Sequence, residues 1–168
     1  MKVFVTGFMG VGKSFVAKKL AKNLHLKFYD LDKMIENELN FSVFDCVKNW
    51  GEELFREIES SVLKNFVQNN DNFVMACGGG TPCFNNNIKL INENGISIFI
   101  EMPPKAIFSR LKNTKNIRPL LNEYKDELLL QRIEELLEER QNFYSQAKIK
   151  INALDYNIDN IISEILKN

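Results

Sequence analysis

Residues 2–14, KVFVTGFMGVGKS, decide how the whole chain reads. Lys2 to Thr6 is short, apolar and rich in β-branched and aromatic residues, the composition of a strand buried on both faces. Gly7 to Ser14 then matches G-x-x-x-x-G-K-[ST], and behind it Val16, Ala17, Leu20, Ala21 and Leu24 recur at helical spacing. A strand, a glycine loop and a helix in that order form the setting in which this motif binds phosphate. Glycines let the backbone curl so that successive N–H groups face phosphate oxygens, and the helix N-terminus adds partial positive charge. Gly10, Val11, Gly12, Lys13, Ser14 and Phe15 are therefore expected to hold a nucleoside triphosphate. Lys13 would reach the β- and γ-phosphates, and the Ser14 hydroxyl would bind Mg²⁺. A glycine-rich turn with an incidental lysine does not account for motif and context agreeing. The chain lacks the N-K-x-D run of guanine-specific proteins, so ATP is the expected nucleotide.

Outward from the loop, strands and helices alternate. Strands are expected at Leu26–Tyr29, Asn72–Cys77, Ile96–Glu101 and Lys148–Asn152. Helices are expected at Asp32–Leu39, Glu52 to about Val67, Asn86–Asn92, Pro104–Leu111, about Glu123–Tyr144 and Asp155–Leu166. Such alternation implies right-handed βαβ crossovers and an α/β domain with about five parallel strands covered on both faces. The polar run KNTKNIRP, beginning at Lys112, interrupts the pattern.

Length and composition bound the rest. At 168 residues, 45% of them hydrophobic and 26% charged, the chain suits one globular domain. Basic and acidic side chains balance at 22 each, giving no general attraction to nucleic acid or an anionic membrane. Any anion site must come from local arrangement. Three cysteines without a C-x-x-C pair fit a reducing cytoplasm better than a disulfide framework or a zinc site. No signal peptide, membrane span or nucleic-acid partner is expected, and a monomer is the default.

Several motifs then point one way. GFMGVGKS at 7–14, D-L-D at 30–32, G-E-E-L-F-R-E-I-E at 51–59, G-G-G at 78–80, R-P-L-L at 118–121 and E-R-Q-N-F-Y at 139–144 occur in the order and near the spacings of one family. Over essentially its whole length the chain resembles the shikimate kinases, small enzymes of the nucleoside-monophosphate-kinase-like group. The resemblance implies a three-layer P-loop kinase fold, substrate-binding helices at about 31–61 and a lid at about 112–122. It implies ATP-dependent phosphorylation of the 3-hydroxyl of shikimate, with Mg²⁺.

The resemblance also implies roles, each with a plainer competitor. Arg56 and Arg140 would bind the substrate carboxylate, since guanidinium forks donate two parallel hydrogen bonds to such a group. Arg140 follows Leu136 and Leu137 on an inward helix face, where an arginine needs a partner, although a snorkelling surface arginine fits the same pattern. Arg56 also stands four residues after Glu52, as an ordinary surface pair would, and Glu59 would hold its guanidinium. Asp32 would contact the substrate hydroxyls as base or orienter, while helix capping is its plainer use. Asp30 would reach Mg²⁺ through water. Gly78, Gly79 and Gly80 would let backbone approach the substrate ring, or simply turn the chain. Arg118 would neutralise charge during transfer, although a surface arginine beside a turn proline fits as well, and Arg110 would stack on adenine, although a bland lone helix arginine is its plainer reading. Cys77 stands where the family commonly has a hydroxyl residue, and Val47 where an aromatic often lines the pocket. A gluconate kinase, or a nucleotide-binding module without turnover, would share the phosphate loop.

Overall fold

Alternation of side chains along β1 (Lys2–Gly7) divides the core into two layers. Val3 and Val5 face one way, Phe4 the other, and all three are fully buried. β1 can be buried on both faces because it is the central strand of a parallel five-stranded sheet ordered β2-β3-β1-β4-β5. The remaining strands are β2 (Lys27–Asp30), β3 (Phe73–Ala76), β4 (Ile96–Glu101) and β5 (Ile149–Asn152). In register, Val5 lies beside Ala76 of β3 and Ile98 of β4. The computed structural model describes residues 1–113 and 126–168.

The Val3 face is covered by α1 (Lys13–Asn23), α6 (Pro104–Lys112), α7 (Asp126–Tyr144) and α8 (Ile158–Lys167), through Val16, Leu20, Ile107, Ile133, Ile161 and Ile165. The Phe4 face is covered by α2 (Leu31–Leu39), α3 (Val43–Trp50), α4 (Glu52–Asn69) and α5 (Asn87–Asn94). Phe4 and Phe73 meet edge to face there, 5.4 Å apart. The expected three layers, five parallel strands and flanking helices are present.

Boundaries differ where caps decide them. α2 begins at Leu31 because Asp30, not Asp32, is its N-cap, its side chain accepting from the Lys33 N–H at 3.4 Å. α8 begins three residues later than expected, since the Asn157 side chain accepts from the Asp159 and Asn160 N–H groups at 2.7 and 3.3 Å. α3 was not among the expected helices. Ser42 caps it, accepting from the Asp45 N–H at 3.1 Å, and the Glu36 carboxylate ties its first turn to α2 through the Val43 N–H at 3.1 Å.

Candidate active site

The C-terminal ends of the two neighbouring strands β1 and β3 bring the phosphate loop beside the triglycine. Gly12, which precedes α1, adopts φ +99°, a left-handed conformation that a side chain would strain. The Lys13 ammonium donates to the Phe8 carbonyl at 2.9 Å, so it crosses the loop from the first residue of α1. The Ser14 hydroxyl donates to Asp30 Oδ2 at 2.7 Å. Phe15 lines the phosphate-loop cavity at its open edge: its side chain is largely exposed, with the Lys19 ammonium 4.6 Å above the ring, and its N–H is donated to the Gly12 carbonyl at 3.1 Å. Arg110 is no bland helix arginine. From the last turn of α6 its Nη1 donates to the Val11 carbonyl at 3.1 Å, which lays the guanidinium against the phosphate loop.

Two cavities meet at this point. One is walled by Gly10, Gly12, Lys13, Ser14, Asp30 and Cys77. The other is walled by Val43, Val47, Phe55, Arg56, Gly78, Gly80 and Arg140. Met9, Asp32 and Gly79 line both. A larger cavity lies beside α7, lined by Phe99, Met102, Pro103, Ile107, Leu137 and Gln141 among others, with no lysine or arginine among its described walls.

The second cavity brings together Asp32, Arg56, Gly78, Gly79, Gly80 and Arg140, all six of the expected substrate residues. Arg56 donates from Nη1 to Glu59 Oε2 at 2.9 Å and from Nη2 to Glu52 Oε1 at 2.9 Å, so the surface pair and the buried pair coexist. Glu59 is fully buried, and its other oxygen accepts from the Thr81 hydroxyl at 2.6 Å. Thr81 was not foreseen as its partner. Phe84 lies against the Arg56 guanidinium, 4.6 Å from the ring centre. A Cβ on Gly80 would run into that guanidinium, so a side chain there would displace the head of Arg56.

Arg140, 5% exposed on α7, has an Nη1 with no hydrogen-bond partner among the described residues, and its guanidinium sits 5.6 Å from the centre of the Phe8 ring. A buried cation with a spare donor is costly unless an anion completes it. The inward position inferred from Leu136 and Leu137 is thus realised.

Burial, with the neighbouring Glu59 carboxylate, pushes the Asp32 carboxyl up to about 6, against the opposing pull of Lys13. Burial also pushes the Cys77 thiol up, so a neutral thiol lines the same cavity as Asp32 and Lys13. Tyr144 escaped the sequence reading: its hydroxyl donates to the Gly79 carbonyl at 2.6 Å, from 65 positions away. Arg118 and most of the expected lid lie outside the described residues.

Among the described residues no group of three or more His, Cys, Asp or Glu forms a metal cage. Ser14 and Asp30 do fit Mg²⁺, a hard ion that is commonly held by one or two protein oxygens together with substrate phosphates and water.

Known proteins agree with this geometry. The family model described as shikimate kinase matches residues 9–168. A shikimate kinase of Bacteroides fragilis is 41% identical over 147 residues, spanning 88% of this chain and 82% of that one. The crystal structure of shikimate kinase from Bacteroides thetaiotaomicron superposes with TM-score 0.87 at 34% identity, over 99% of this chain and 95% of that one. The Acinetobacter baumannii shikimate kinase, solved with shikimate, gives TM-score 0.88 at 28% identity, over 99% and 93%. With the phosphate loop, the paired cavities and these likenesses in agreement, the chain belongs to the shikimate kinase family.

Proposed function

We propose that the protein transfers the γ-phosphoryl group of ATP to the 3-hydroxyl of shikimate, giving shikimate 3-phosphate and ADP, a step in making aromatic amino acids. The observation that carries this is the meeting of a phosphate-loop cavity and an arginine-walled cavity at one carboxylate, Asp32. An acceptor held by its carboxylate on Arg56 and Arg140 would present its far-end hydroxyls to Asp32. In-line transfer needs positioning and charge neutralisation more than covalent help, and rigid side chains supply both. Ionised, Asp32 orients the attacking hydroxyl and accepts its proton. Lys13 holds the phosphates undergoing transfer, and the backbone of residues 10–15 cradles the rest of the chain of phosphates. Arg110 flanks the nucleotide, and Gly78, Gly79 and Gly80 bring backbone against the acceptor ring. Arg118 keeps the role the family resemblance gives it, neutralising charge during transfer.

Mg²⁺, when bound, would neutralise the phosphate oxygens, with the Ser14 hydroxyl as a direct ligand and Asp30 acting through water. Both residues already touch each other, so the pair is preorganised. A monomer stays the default reading, since the described residues of one chain line both cavities. Three free thiols fit a reducing cytoplasm, and no described helix is long and apolar enough to cross a membrane.

Coupled ADP release with Mg²⁺-ATP tests the proposal, using shikimate, quinate, gluconate and nucleoside monophosphates as acceptors. Turnover with shikimate alone is expected, and chelating the metal should stop it. Release with gluconate in place of shikimate would move the chain to another acceptor. ATP binding without acceptor-dependent release would make it a non-catalytic module.

A further inference from the structure

The Tyr144 hydroxyl has no part in the scheme above, yet it makes one of the longest-range side-chain contacts in the site. It reaches from the last residue of α7 to the carbonyl of Gly79 at 2.6 Å. Its ring is 1% exposed and stacks on Phe99 of β4, with centroids 4.8 Å apart and planes 13° from parallel. The Arg140 guanidinium is a second hydrogen-bond neighbour of the same hydroxyl, which therefore sits at the end of a clamped lever with little freedom of its own.

Gly79 is held on another side as well. A Cβ there would lie 3.2 Å from the Met9 nitrogen, so its backbone is packed on the phosphate loop. The Gly79 carbonyl and the Gly80 N–H belong to one peptide unit. That unit is planar and trans, so the two groups point in opposite directions. Fixing the carbonyl toward Tyr144 fixes the N–H away from it. The Gly80 N–H has no hydrogen-bond partner among the described residues, whereas the next donor, Thr81 N–H, is closed onto the Gly78 carbonyl at 3.2 Å. Three glycines in a row would otherwise leave this peptide free to rotate, because no side chain restricts it.

We infer that Tyr144 is a positioning residue: by holding the Gly79 carbonyl it aims the Gly80 N–H into the acceptor cavity beside the Arg56 guanidinium, where that N–H donates to the acceptor's carboxylate. The inference rests on the proposed placement of shikimate in the Arg56–Arg140 cavity. It links acceptor geometry to α7, the helix that also carries Arg140 one turn earlier.

Tyr144→Phe tests it, since phenylalanine keeps the stacking on Phe99 and removes one hydroxyl. The expected result is a shikimate KM raised about five- to tenfold with the ATP KM within twofold of the unaltered enzyme, as one lost hydrogen bond predicts. Phe99→Leu is the control for a merely structural effect. It should lower Tm without that selective rise. On adding shikimate, the Gly80 amide resonance should shift downfield in the unaltered protein and less in Tyr144→Phe, which separates an effect through this peptide from one through Arg140. A Tyr144→Phe enzyme with unchanged shikimate KM, or with both KM values raised together, would overturn the assignment. So would a Gly80 amide that ignores shikimate, even if Tyr144→Phe proves too unstable to assay. Failure of the unaltered enzyme to use shikimate at all would instead strike the proposed function.

Discussion

Asp32 is the side chain on which the two cavities converge, and its chemistry has a cost for the fold. Its carboxyl titrates at about 6 in the folded protein against 3.8 ordinarily. A raised carboxyl contributes stability only while protonated: the contribution is complete below about 3.8 and is lost as pH rises through about 6. Asp32→Asn is therefore expected to stabilise the protein at pH 7.5, by on the order of 2 kcal/mol, while abolishing turnover. Urea unfolding at pH 7.5 and pH 4 checks the sign, because the advantage should shrink at the acid end. The same titration predicts an acid limb in kcat/KM with a midpoint near pH 6, where the orienting carboxylate becomes protonated. The two arginines should part company when removed. Arg140 has an unpartnered donor, so Arg140→Met should leave Tm unchanged or higher while raising the shikimate KM about 10- to 100-fold. Arg56 neutralises the buried Glu59, so Arg56→Ala should weaken shikimate binding and also cost about 3 kcal/mol of stability. Sequence spacing located both arginines, but it could not show this asymmetry. Glu52 and Glu59 were readable partners of Arg56, but the burial of Glu59 against Thr81 and the unpartnered donor of Arg140 appear only in the folded chain.

Among the elements, those with a strong local signal were legible and those defined by a cap were less so. β1, the glycine loop and α1 announce themselves by composition and a 3.6-residue period. α3 spans only Val43–Trp50, too few turns for periodicity to stand out. Its readable sign was the Ser42-x-x-Asp45 cap ahead of an apolar run. In D-L-D both carboxylates suit a cap; Ser14, on another element, gives Asp30 a second partner, and Asp32 is left facing the cavities. α3 supplies Val43 and Val47 to the acceptor wall, so loosening its start should be felt there. Ser42→Ala is expected to cost about 1 kcal/mol of stability and to raise the shikimate KM more than the ATP KM. Equal movement of both KM values would show that α3 does not act on the acceptor side.

At the scale of the molecule, function follows from strand order. β1 lies between β3 and β4, so the phosphate loop, the triglycine and the α6 arginine all emerge at one end of the sheet, where open α/β sheets bind ligands. Strand number and parallel direction were legible from the alternation of elements. Strand order was not, because pairings such as Val5 with Ala76 join residues 71 positions apart. The same distance hides Tyr144 from Gly79. The most direct measurement is the product's phosphorus–proton correlation spectrum after turnover with ATP and shikimate. The account predicts a single phosphate coupled to the proton on carbon 3, because Arg56 and Arg140 fix one end of the ring while Asp32 orients the other. A phosphate on another hydroxyl, or a mixture of positions, would contradict that arrangement of the site.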